Sequence, residues 1–352
     1  MKRVWSAVAV FLAAVLVLTG CAGRVATAPK QEFTVAWSIY VGWMPWPYAD
    51  ESGILQKWAD KENIKINLVQ FDYVPSIEAY VAGKVDAVVM TNMEALNMAA
   101  AAGVDTTGII VGDYSNGNDA VLTRNNLGLR ELRGKEVYIV EGSVSQYLLG
   151  RAFDITGGIT ENDVRLMNTS DADIGPAFIT NKKQEVVVTW NPIVLEVESQ
   201  VPGVKNIFNS SLIPYEILDI MFVRTEVLNK HPELARALAG AWYETLGLMQ
   251  ARTPEGTTAL NAMAEKSGTT LASYNKQLET TYMFWKPTDA AALTRGKKLV
   301  EVMDLVRKFS FDHGLFGQGH VSVDSVGVTF PDGTVLGDQN NVKLRFTDKY
   351  MK

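Results

Sequence analysis

The sequence is poor in cysteine and histidine. Its 352 residues include one cysteine and three histidines. A single cysteine cannot form an internal disulfide. His313 and His320 are seven residues apart, and two histidines alone do not make a metal site without carboxylate ligands. The motifs Gly-x-Ser-x-Gly, Gly-x-x-x-x-Gly-Lys and His-Glu-x-x-His are absent. We therefore predict that the protein is not an enzyme and that it uses neither a metal nor another cofactor.

The sequence also lacks an excess of positive charge. It has 33 Lys and Arg residues against 39 Asp and Glu residues, a formal net charge of −6. Nucleic acid is disfavoured as a partner, because a phosphate backbone calls for a basic surface. With 47% hydrophobic and 20% charged residues, the composition excludes disordered, collagen-like, coiled-coil and multi-span membrane proteins. The length suggests two lobes, each able to bury a core.

One long apolar run lies near the amino terminus. Val4 to Leu18 follow two cations and span about 15 residues, fewer than the roughly 20 that a membrane-crossing helix needs. Because Leu18-Thr19-Gly20-Cys21 matches a bacterial lipobox, we predict that residues 1–21 are a lipoprotein signal peptide. Acylated Cys21 would hold the exported protein at a membrane, in the periplasm or at the cell surface, with residues 22–32 as a flexible tether. An unmodified cysteine is the alternative.

From Phe33 onward, short β-branched segments alternate with longer amphipathic segments, which predicts βα units in an α/β fold with parallel sheets. Residues 84–94 and 184–192 share one pattern of acidic residue, buried strand, polar turn and helix start, which predicts two similar halves with a cleft between them. The predicted strands are Phe33–Trp37, Lys65–Phe71, Val85–Met90, Thr107–Val111, Ala120–Thr123, Lys135–Val140, Val164–Met167, Glu185–Thr189 and Leu218–Arg224.

Beyond these strands the pattern becomes helical and then changes again. Leu234, Leu238, Trp242 and Leu246 recur every four residues, which predicts a helix with one buried stripe. Residues 311–352 are richer in Gly and Asp, and Pro331-Asp332-Gly333-Thr334 predicts a hairpin turn. We expect this tail to form a small β appendage packed on one lobe.

Five aromatic residues fall within residues 37–48, which follow the first predicted strand. A glycine and two prolines predict an irregular loop there, and such a loop cannot bury every ring in its own core. Ligands of open α/β sheets lie at the carboxyl ends of strands. We therefore predict that Trp37, Tyr40 and Trp43 wall a pocket for a small ligand, with ring faces that can host a cation. The alternative is that these rings only fill the lobe surface under the hinge.

Polar and acidic residues recur at the ends of the other predicted strands. We predict ligand contacts there from Thr91, Asn92, Glu94, Asp119, Glu141, Ser143, Ser145, Trp190, Asn191 and Asp219. Further polar residues at strand ends are Asp113, Tyr114, Asn118, Gln146 and Glu216. Carboxylates at a cleft repel an anion and suit a cation or a urea-like hydrogen-bond donor, and guanidinium suits both a carboxylate and an aromatic face.

Each of these carboxylates also has a simpler interpretation. Glu94 can interact favourably with the dipole of its own helix. Asp113 and Asp119 flank Ser-Asn-Gly-Asn, a turn in which Asp caps local amides, and Glu141 can face solvent. The prediction of a cation site depends on how many carboxylates stand at strand ends.

Several segments together resemble one family of transport proteins. They are the lipoprotein leader, the strand Val-Asp-Ala-Val-Val-Met, the turn Gly-Asp-Tyr-Ser-Asn-Gly-Asn-Asp-Ala-Val-Leu, the segment Glu-Gly-Ser-Val-Ser-Gln-Tyr-Leu-Leu and the helix start His-Pro-Glu-Leu. Residues 33–310 resemble the solute-binding proteins of ABC importers of the sulfonate, nitrate and thiamine-precursor type. Within that family, the Trp-rich loop is similar to the branch associated with urea carboxylase, which is connected with urea and guanidine.

The resemblance implies a two-lobed periplasmic-binding-protein fold of type II, the venus flytrap, that closes over its ligand by hinge motion. It implies one lobe from residues 33–123 and 220–310 and a second from residues 124–219, while residues 311–352, the expected C-terminal appendage, lie outside the resemblance. The implied partners are a small-molecule ligand, an ABC permease and its ATPase, and the implied state is a monomer. Thiamine-precursor synthases of this fold use a cysteine-rich segment, which this sequence does not have.

The sequence thus predicts a lipid-anchored receptor that delivers guanidine or urea to a permease. An aliphatic sulfonate, taurine, nitrate or a thiamine precursor is the alternative ligand within the same fold. An enzyme, or an interaction lipoprotein with a vestigial pocket, is the alternative from a different class.

Overall fold

Two β-sheets organise the chain in the computed structural model, which describes residues 31–352. The predicted signal peptide, the lipidation site at Cys21 and nearly all of the predicted tether lie outside the described residues. The tether was expected to reach residue 32, but the first strand already begins at Gln31. Among the described residues, no helix combines the length and the apolar character needed to cross a membrane.

The strands of residues 31–352 follow one another along the chain as β1 (Gln31–Trp37), β2 (Ile64–Gln70), β3 (Ala87–Thr91), β4 (Thr106–Ser115), β5 (Asp119–Thr123), β6 (Glu136–Ile139), β7 (Arg165–Asn168), β8 (Val186–Trp190), β9 (Lys205–Asn209), β10 (Leu218–Arg224), β11 (Thr281–Met283), β12 (Gly327–Thr329), β13 (Val335–Leu336) and β14 (Val342–Phe346). All nine predicted strands are present. The short strands β9 and β11 were not predicted.

The larger sheet has nine strands in the order β13-β12-β14-β4-β10-β3-β1-β2, with β11 paired to β4, and the smaller has five in the order β7-β6-β8-β5-β9. The expectation of parallel sheets is wrong in part. β10 runs antiparallel to both β3 and β4, and β5 runs antiparallel to both β8 and β9. Hydrophobic runs mark a buried strand but not its direction, so the sequence pattern did not separate the two cases.

The chain passes from the larger sheet to the smaller between β4 and β5 and returns between β9 and β10. The predicted lobe boundary at residue 123 groups β5 with the first lobe, whereas β5 pairs with β8 and β9 in the smaller sheet. The crossing that the structure shows falls at residues 116–118.

The helices of the described residues are α1 (Pro45–Glu51), α2 (Ile54–Lys61), α3 (Tyr73–Val81), α4 (Asn92–Glu94), α5 (Val144–Thr156), α6 (Asp171–Thr180), α7 (Ile193–Gln200), α8 (Thr225–Lys230), α9 (Pro232–Gln250), α10 (Pro254–Lys266), α11 (Leu271–Glu279), α12 (Pro287–Arg295) and α13 (Lys297–Asp312). Short 3-10 helices cover Val41–Trp43, Leu129–Leu132, Glu161–Asp163 and Ser210–Leu212, and a π-helical segment covers Ala95–Ala100.

The aromatic segment after β1 is helical, which corrects the prediction of an irregular loop. Val41–Trp43 form a 3-10 turn, and Pro45 begins α1. Proline is tolerated in the first turn of a helix, since the N–H that it lacks has no partner there in any case. Four of the five rings are buried as well, and only Tyr48 is half-buried.

Helix α9 presents the predicted stripe, because Leu234, Leu238, Trp242 and Leu246 are all buried. The indole of Trp242 stacks on that of Trp46, with ring centroids 4.9 Å apart. This pair belongs to the core that packs on the larger sheet. The contact between Trp46 of α1 and Trp242 of α9 therefore holds α1 against α9.

The tail joins the larger sheet directly. β12 and β13 pair antiparallel across the predicted turn at residues 331–334, and β14 pairs in parallel with the first residues of β4. The guanidinium of Arg345 donates to both carboxylate oxygens of Asp105, each at 2.9 Å. The tail therefore extends the sheet as three further strands.

Candidate functional site

A cavity of about 20 Å³ lies where residues of both sheets meet. Six of the predicted ligand residues line it, namely Tyr40, Trp43, Thr91, Asp119, Trp190 and Asp219. Three further lining residues, Tyr73, Val144 and Ile217, were not predicted. This is about the space that one water molecule needs, so even a solute of a few heavy atoms requires the surrounding side chains to move.

Antiparallel pairing brings the polar lining residues together. β10 lies between β3 and β4, so Asp219 faces Thr91 on one side and Asp113 on the other. In the smaller sheet Asp119, the first residue of β5, faces Trp190, the last residue of β8. The amino ends of β5 and β10 thus meet the carboxyl ends of their neighbours. This is the edge where the strand-end rule expects a ligand.

Four aromatic rings form a continuous wall. Tyr40 packs edge-on to Trp43 at 5.1 Å between centroids, Trp43 lies 5.4 Å from Tyr73, and Tyr73 packs edge-on to Trp190 at 5.7 Å. All four side chains are buried. The wall supplies apolar contact and ring faces of the kind that attract a cation.

Three aspartates and one glutamate are buried at this wall: Asp113, Asp119, Asp219 and Glu94 are between 0% and 4% exposed. Within residues 31–352, no lysine, arginine or histidine forms an ion pair with any of them. Buried charges are normally paired, since desolvation of a lone carboxylate is costly. The pocket therefore concentrates acidic groups without a basic partner in the part of the chain that the structure describes.

Hydrogen bonds hold these carboxyl groups in place. The Tyr40 hydroxyl donates to Asp113 Oδ1 at 3.3 Å and accepts from Asn118 Nδ2 at 3.1 Å. The Asp119 carboxylate accepts from the hydroxyl of Ser115. These partners are neutral, so they orient the carboxyl groups without neutralising them.

The electrostatic result is a set of raised pKa values. Burial raises the pKa of Asp113 to about 7 and, with a further contribution from the charge of Glu94, that of Asp119 to about 7. Burial and the neighbouring Asp113 raise the pKa of Asp219 well above its ordinary value. Burial also raises the pKa of Glu94, against hydrogen bonds from Thr91 and Val144 that lower it. A cation bound here would favour the ionised forms.

Glu94 lies behind the lining residues and connects them. Its Oε1 accepts the backbone N–H of Val144, the first residue of α5, at 2.6 Å, and its Oε2 accepts from the hydroxyl of Thr91. The Tyr73 hydroxyl also donates to this carboxylate. Glu94 therefore links the segment after β3 with the helix after β6.

Other predicted ligand residues stabilise the frame around the pocket. Asn92 binds the backbone of Glu216 and Leu218, at 3.1 and 2.9 Å. Ser143 caps α5, and Asn191 accepts the N–H of Leu195 in α7 at 3.0 Å. Trp37 at the end of β1 is buried in the core. These side chains shape the ends of strands and helices without lining the cavity.

The last two predicted ligand residues, Ser145 and Glu141, lie in other surroundings. Ser145 is fully buried in α5, and among the described residues its hydroxyl has no hydrogen-bond partner. Glu141 is exposed and lies at a separate surface depression with Asp72, Glu78 and Asp171. Gly142, with a φ of 77°, turns the chain between Glu141 and α5, so the carboxylate of Glu141 does not reach the aromatic wall.

The three lining residues that were not predicted differ in whether the sequence could have indicated them. Tyr73 begins α3, and only two residues separate it from the end of β2, so the strand-end rule could have found it. Val144 and Ile217 are apolar and contribute through position, at the start of α5 and just before β10. The residue types of Val144 and Ile217 gave no indication that these two residues line a pocket.

The three histidines contact other parts of the chain. His231 binds Glu233 and His313 binds Glu161, while His320 contacts the carbonyl oxygen of Ala101. Across residues 31–352, no group of three or more His, Cys, Asp or Glu side chains is arranged to hold a metal ion.

No protein-family model matches the chain, and no curated protein matches its sequence. Solved structures do match its fold. The periplasmic aliphatic sulphonate binding protein SsuA from Escherichia coli has a TM-score of 0.67 and 16% sequence identity over 82% of this chain and 94% of that one. The alkanesulfonate-binding protein SsuA from Xanthomonas axonopodis pv. citri, bound to MOPS, has a TM-score of 0.67 and 15% identity over 83% of this chain and 96% of that one.

A third structure extends the comparison to another ligand. The periplasmic nitrate-binding protein NrtA from Synechocystis PCC 6803 has a TM-score of 0.57 and 10% identity over 92% of this chain and 98% of that one. At such identities the likeness concerns the fold. It confirms the predicted fold class: residues 31–352 have the α/β fold of periplasmic binding proteins, with the candidate pocket lined by residues of both sheets.

Proposed function

We propose that this protein is the solute-binding component of an ABC importer and that its ligand is a small nitrogen-rich cation, guanidinium. It would capture the ligand between two lobes, close by hinge motion and deliver the ligand to a permease driven by a cytoplasmic ATPase. In this proposal one lobe is built on the larger sheet and the other on the smaller sheet. Cys21 carries the lipid that keeps the protein near its permease.

One observation carries the choice of ligand: four buried carboxyl groups surround an aromatic wall, and no basic side chain of the described residues pairs with them. A permanently charged planar cation supplies the missing charge. It also donates several N–H bonds in one plane, which suits carboxylate pairs, and it stacks on aromatic faces. Asp119 and Asp219 line the cavity itself, so we assign them the direct contacts.

Urea fits the same space and offers similar donors, but it is neutral. A neutral ligand would leave the raised pKa values of Asp113 and Asp119 in place and would gain nothing from their ionisation. We therefore expect urea to bind more weakly than guanidinium. This difference isolates the contribution of charge, because the two molecules are nearly the same in shape.

A sulfonate or nitrate is the second candidate, because solved structures with this fold bind such anions. Anions are held by backbone N–H groups at helix amino termini. Here the carboxylates of Asp119 and Asp219 would lie against a bound anion and repel it. The structurally similar proteins thus favour an anion as the ligand, whereas the acidic side chains of this pocket favour a cation.

Titration calorimetry decides between them. The protein beginning at Ala22 contains every described element, and it would be titrated with guanidinium chloride, urea, taurine and nitrate. We expect guanidinium to bind most tightly and the two anions not to bind. Asp219→Asn should weaken guanidinium at least about tenfold, whereas the exposed Glu141→Gln should leave its affinity unchanged. Tight binding of taurine or nitrate would overturn the proposal.

A further inference from the structure

Glu94 differs from the other carboxyl groups of the pocket because one of its donors is a backbone N–H at the start of a helix. It is fully buried in α4, and it accepts the N–H of Val144 at 2.6 Å together with the hydroxyls of Thr91 and Tyr73. All three partners donate and so favour the ionised form of the side chain, against the burial that raises its pKa. Glu94 therefore holds an acceptor carboxyl group at the start of α5, beside the cavity.

The N–H group that Glu94 accepts lies at the amino terminus of a helix. Val144 is the first residue of α5, a helix of 13 residues, and it also lines the cavity. The first N–H groups of a helix have no partner within it, and the helix dipole makes this end attractive to anions. Ser145, in the same turn, has a buried hydroxyl without a hydrogen-bond partner among the described residues. The protein thus places its own carboxylate where a helix would otherwise hold a ligand anion.

We infer that Glu94 determines the charge class of the ligand: it occupies the anion-binding end of α5 from within and thereby restricts the pocket to cations. This inference rests on the proposed cation site, which it deepens by naming the residue that excludes anions. An incoming sulfonate or nitrate would have to displace Glu94 from Val144 or lie against it. A cation gains from the same carboxylate.

Two substitutions separate the charge of Glu94 from its volume. Glu94→Gln keeps a side-chain oxygen for the N–H of Val144 and removes the charge. Glu94→Ala removes both and leaves space at the start of α5. Glu141→Gln is the matched control, because Glu141 precedes the same helix but is exposed. Circular dichroism would establish that each variant is folded.

Calorimetry with guanidinium, urea, nitrate and sodium formate then tests the inference. For Glu94→Gln we expect guanidinium affinity to fall about tenfold and urea affinity to stay the same. For Glu94→Ala we expect nitrate and formate to bind, and added formate to restore guanidinium affinity. Formate should have no such effect on the original protein or on either Gln variant.

The outcomes distinguish this inference from the proposed function. If the original protein does not bind guanidinium but Glu94→Ala gains nitrate, the proposed ligand is wrong and the role of Glu94 stands. If the original protein binds guanidinium and a folded Glu94→Ala neither binds anions nor responds to formate, the inference is overturned. If Glu94→Ala does not fold, Glu94→Gln decides, since equal losses for guanidinium and urea would mean that Glu94 acts only as a structural residue.

Discussion

Asp113 and Asp219 face each other across the antiparallel pairing of β4 and β10, and burial and the charge of Asp113 raise the pKa of Asp219. Two buried carboxylates this close cannot both ionise without a large cost, so a proton is shared between them. The Tyr40 hydroxyl donates to Asp113 Oδ1 of this pair at 3.3 Å. The site is therefore prepared to exchange a proton for another cation.

The stability of the ligand-free protein should fall as the pH rises. Burial raises the pKa of Asp113 and of Asp119 to about 7, from an ordinary value of 3.8. Between those values the folded state holds more protons than the unfolded state, so stability is full below 3.8 and is lost as the pH rises through 7. We expect the melting temperature to drop between about pH 5.5 and pH 8, as calorimetric unfolding would measure.

Asp119→Asn provides the comparison for this pH dependence. An amide does not titrate, so the melting temperature of the variant should change less over the same range. Glu141→Gln, at an exposed position, should behave like the original protein. A melting temperature that is constant or higher at pH 8 would contradict the raised pKa values.

Two tryptophans of one segment should respond differently to truncation. Trp43 lines the pocket, while Trp46 stacks on Trp242 in the core. Trp43→Ala should weaken guanidinium binding by at least about tenfold, since it removes a ring from the wall. Trp46→Ala should destabilise the protein by about 3–5 kcal/mol, the usual cost of a large core truncation, with a smaller effect on affinity.

Affinity would be measured by calorimetry well below the melting temperature, and stability by denaturant unfolding. The aromatic wall would lose its proposed role if Trp43→Ala bound guanidinium as the original protein does. Equal losses of affinity in both variants would indicate a general loosening of this segment.

The fold was largely visible in the sequence, because each long buried strand carries its own β-branched run, as in Val186–Trp190. Strand direction was not visible. The run Leu218–Arg224 reads the same whether it pairs in parallel or antiparallel, and only the long-range return of the chain places it between β3 and β4. The segment after Trp43 shows a local limit too, since prolines in a first helical turn look like loop prolines.

The site could be predicted to the extent that polar residues mark strand ends. This rule found Asp119 and Asp219, which line the cavity, and also Glu141, which does not. What separates them is the direction of the chain after the strand, which depends on a positive φ at Gly142. Val144 shows the opposite case, an apolar residue that contributes through its backbone N–H.

A side chain at Gly42 should disrupt the pocket. A Cβ there would lie 2.3 Å from Asp113 Oδ2 and 2.7 Å from a ring carbon of Tyr40. Gly42→Ala must therefore displace the Asp113 carboxyl or the Tyr40 ring, and we expect a loss of guanidinium affinity of at least about tenfold together with modest destabilisation. Gly247→Ala, where an added Cβ meets nothing within 4 Å, is the control, and equal behaviour of the two would contradict the close packing at Gly42.

Guanidinium binding should release protons. Near pH 6.5 the Asp113 and Asp119 carboxyl groups, with pKa values of about 7, are mostly protonated. A bound cation favours the ionised forms, so binding lowers their pKa and expels protons to solvent. Affinity should therefore rise with pH up to about 7, by as much as about tenfold per unit for each proton released, and level off above it.

Calorimetry in phosphate and in Tris, whose ionisation enthalpies differ, would count the protons directly. Asp119→Asn should release fewer, and Glu141→Gln as many as the original protein. If the binding enthalpy were the same in both buffers, or if affinity rose on acidification, the carboxyl groups of this pocket would not be the counter-ions of the ligand.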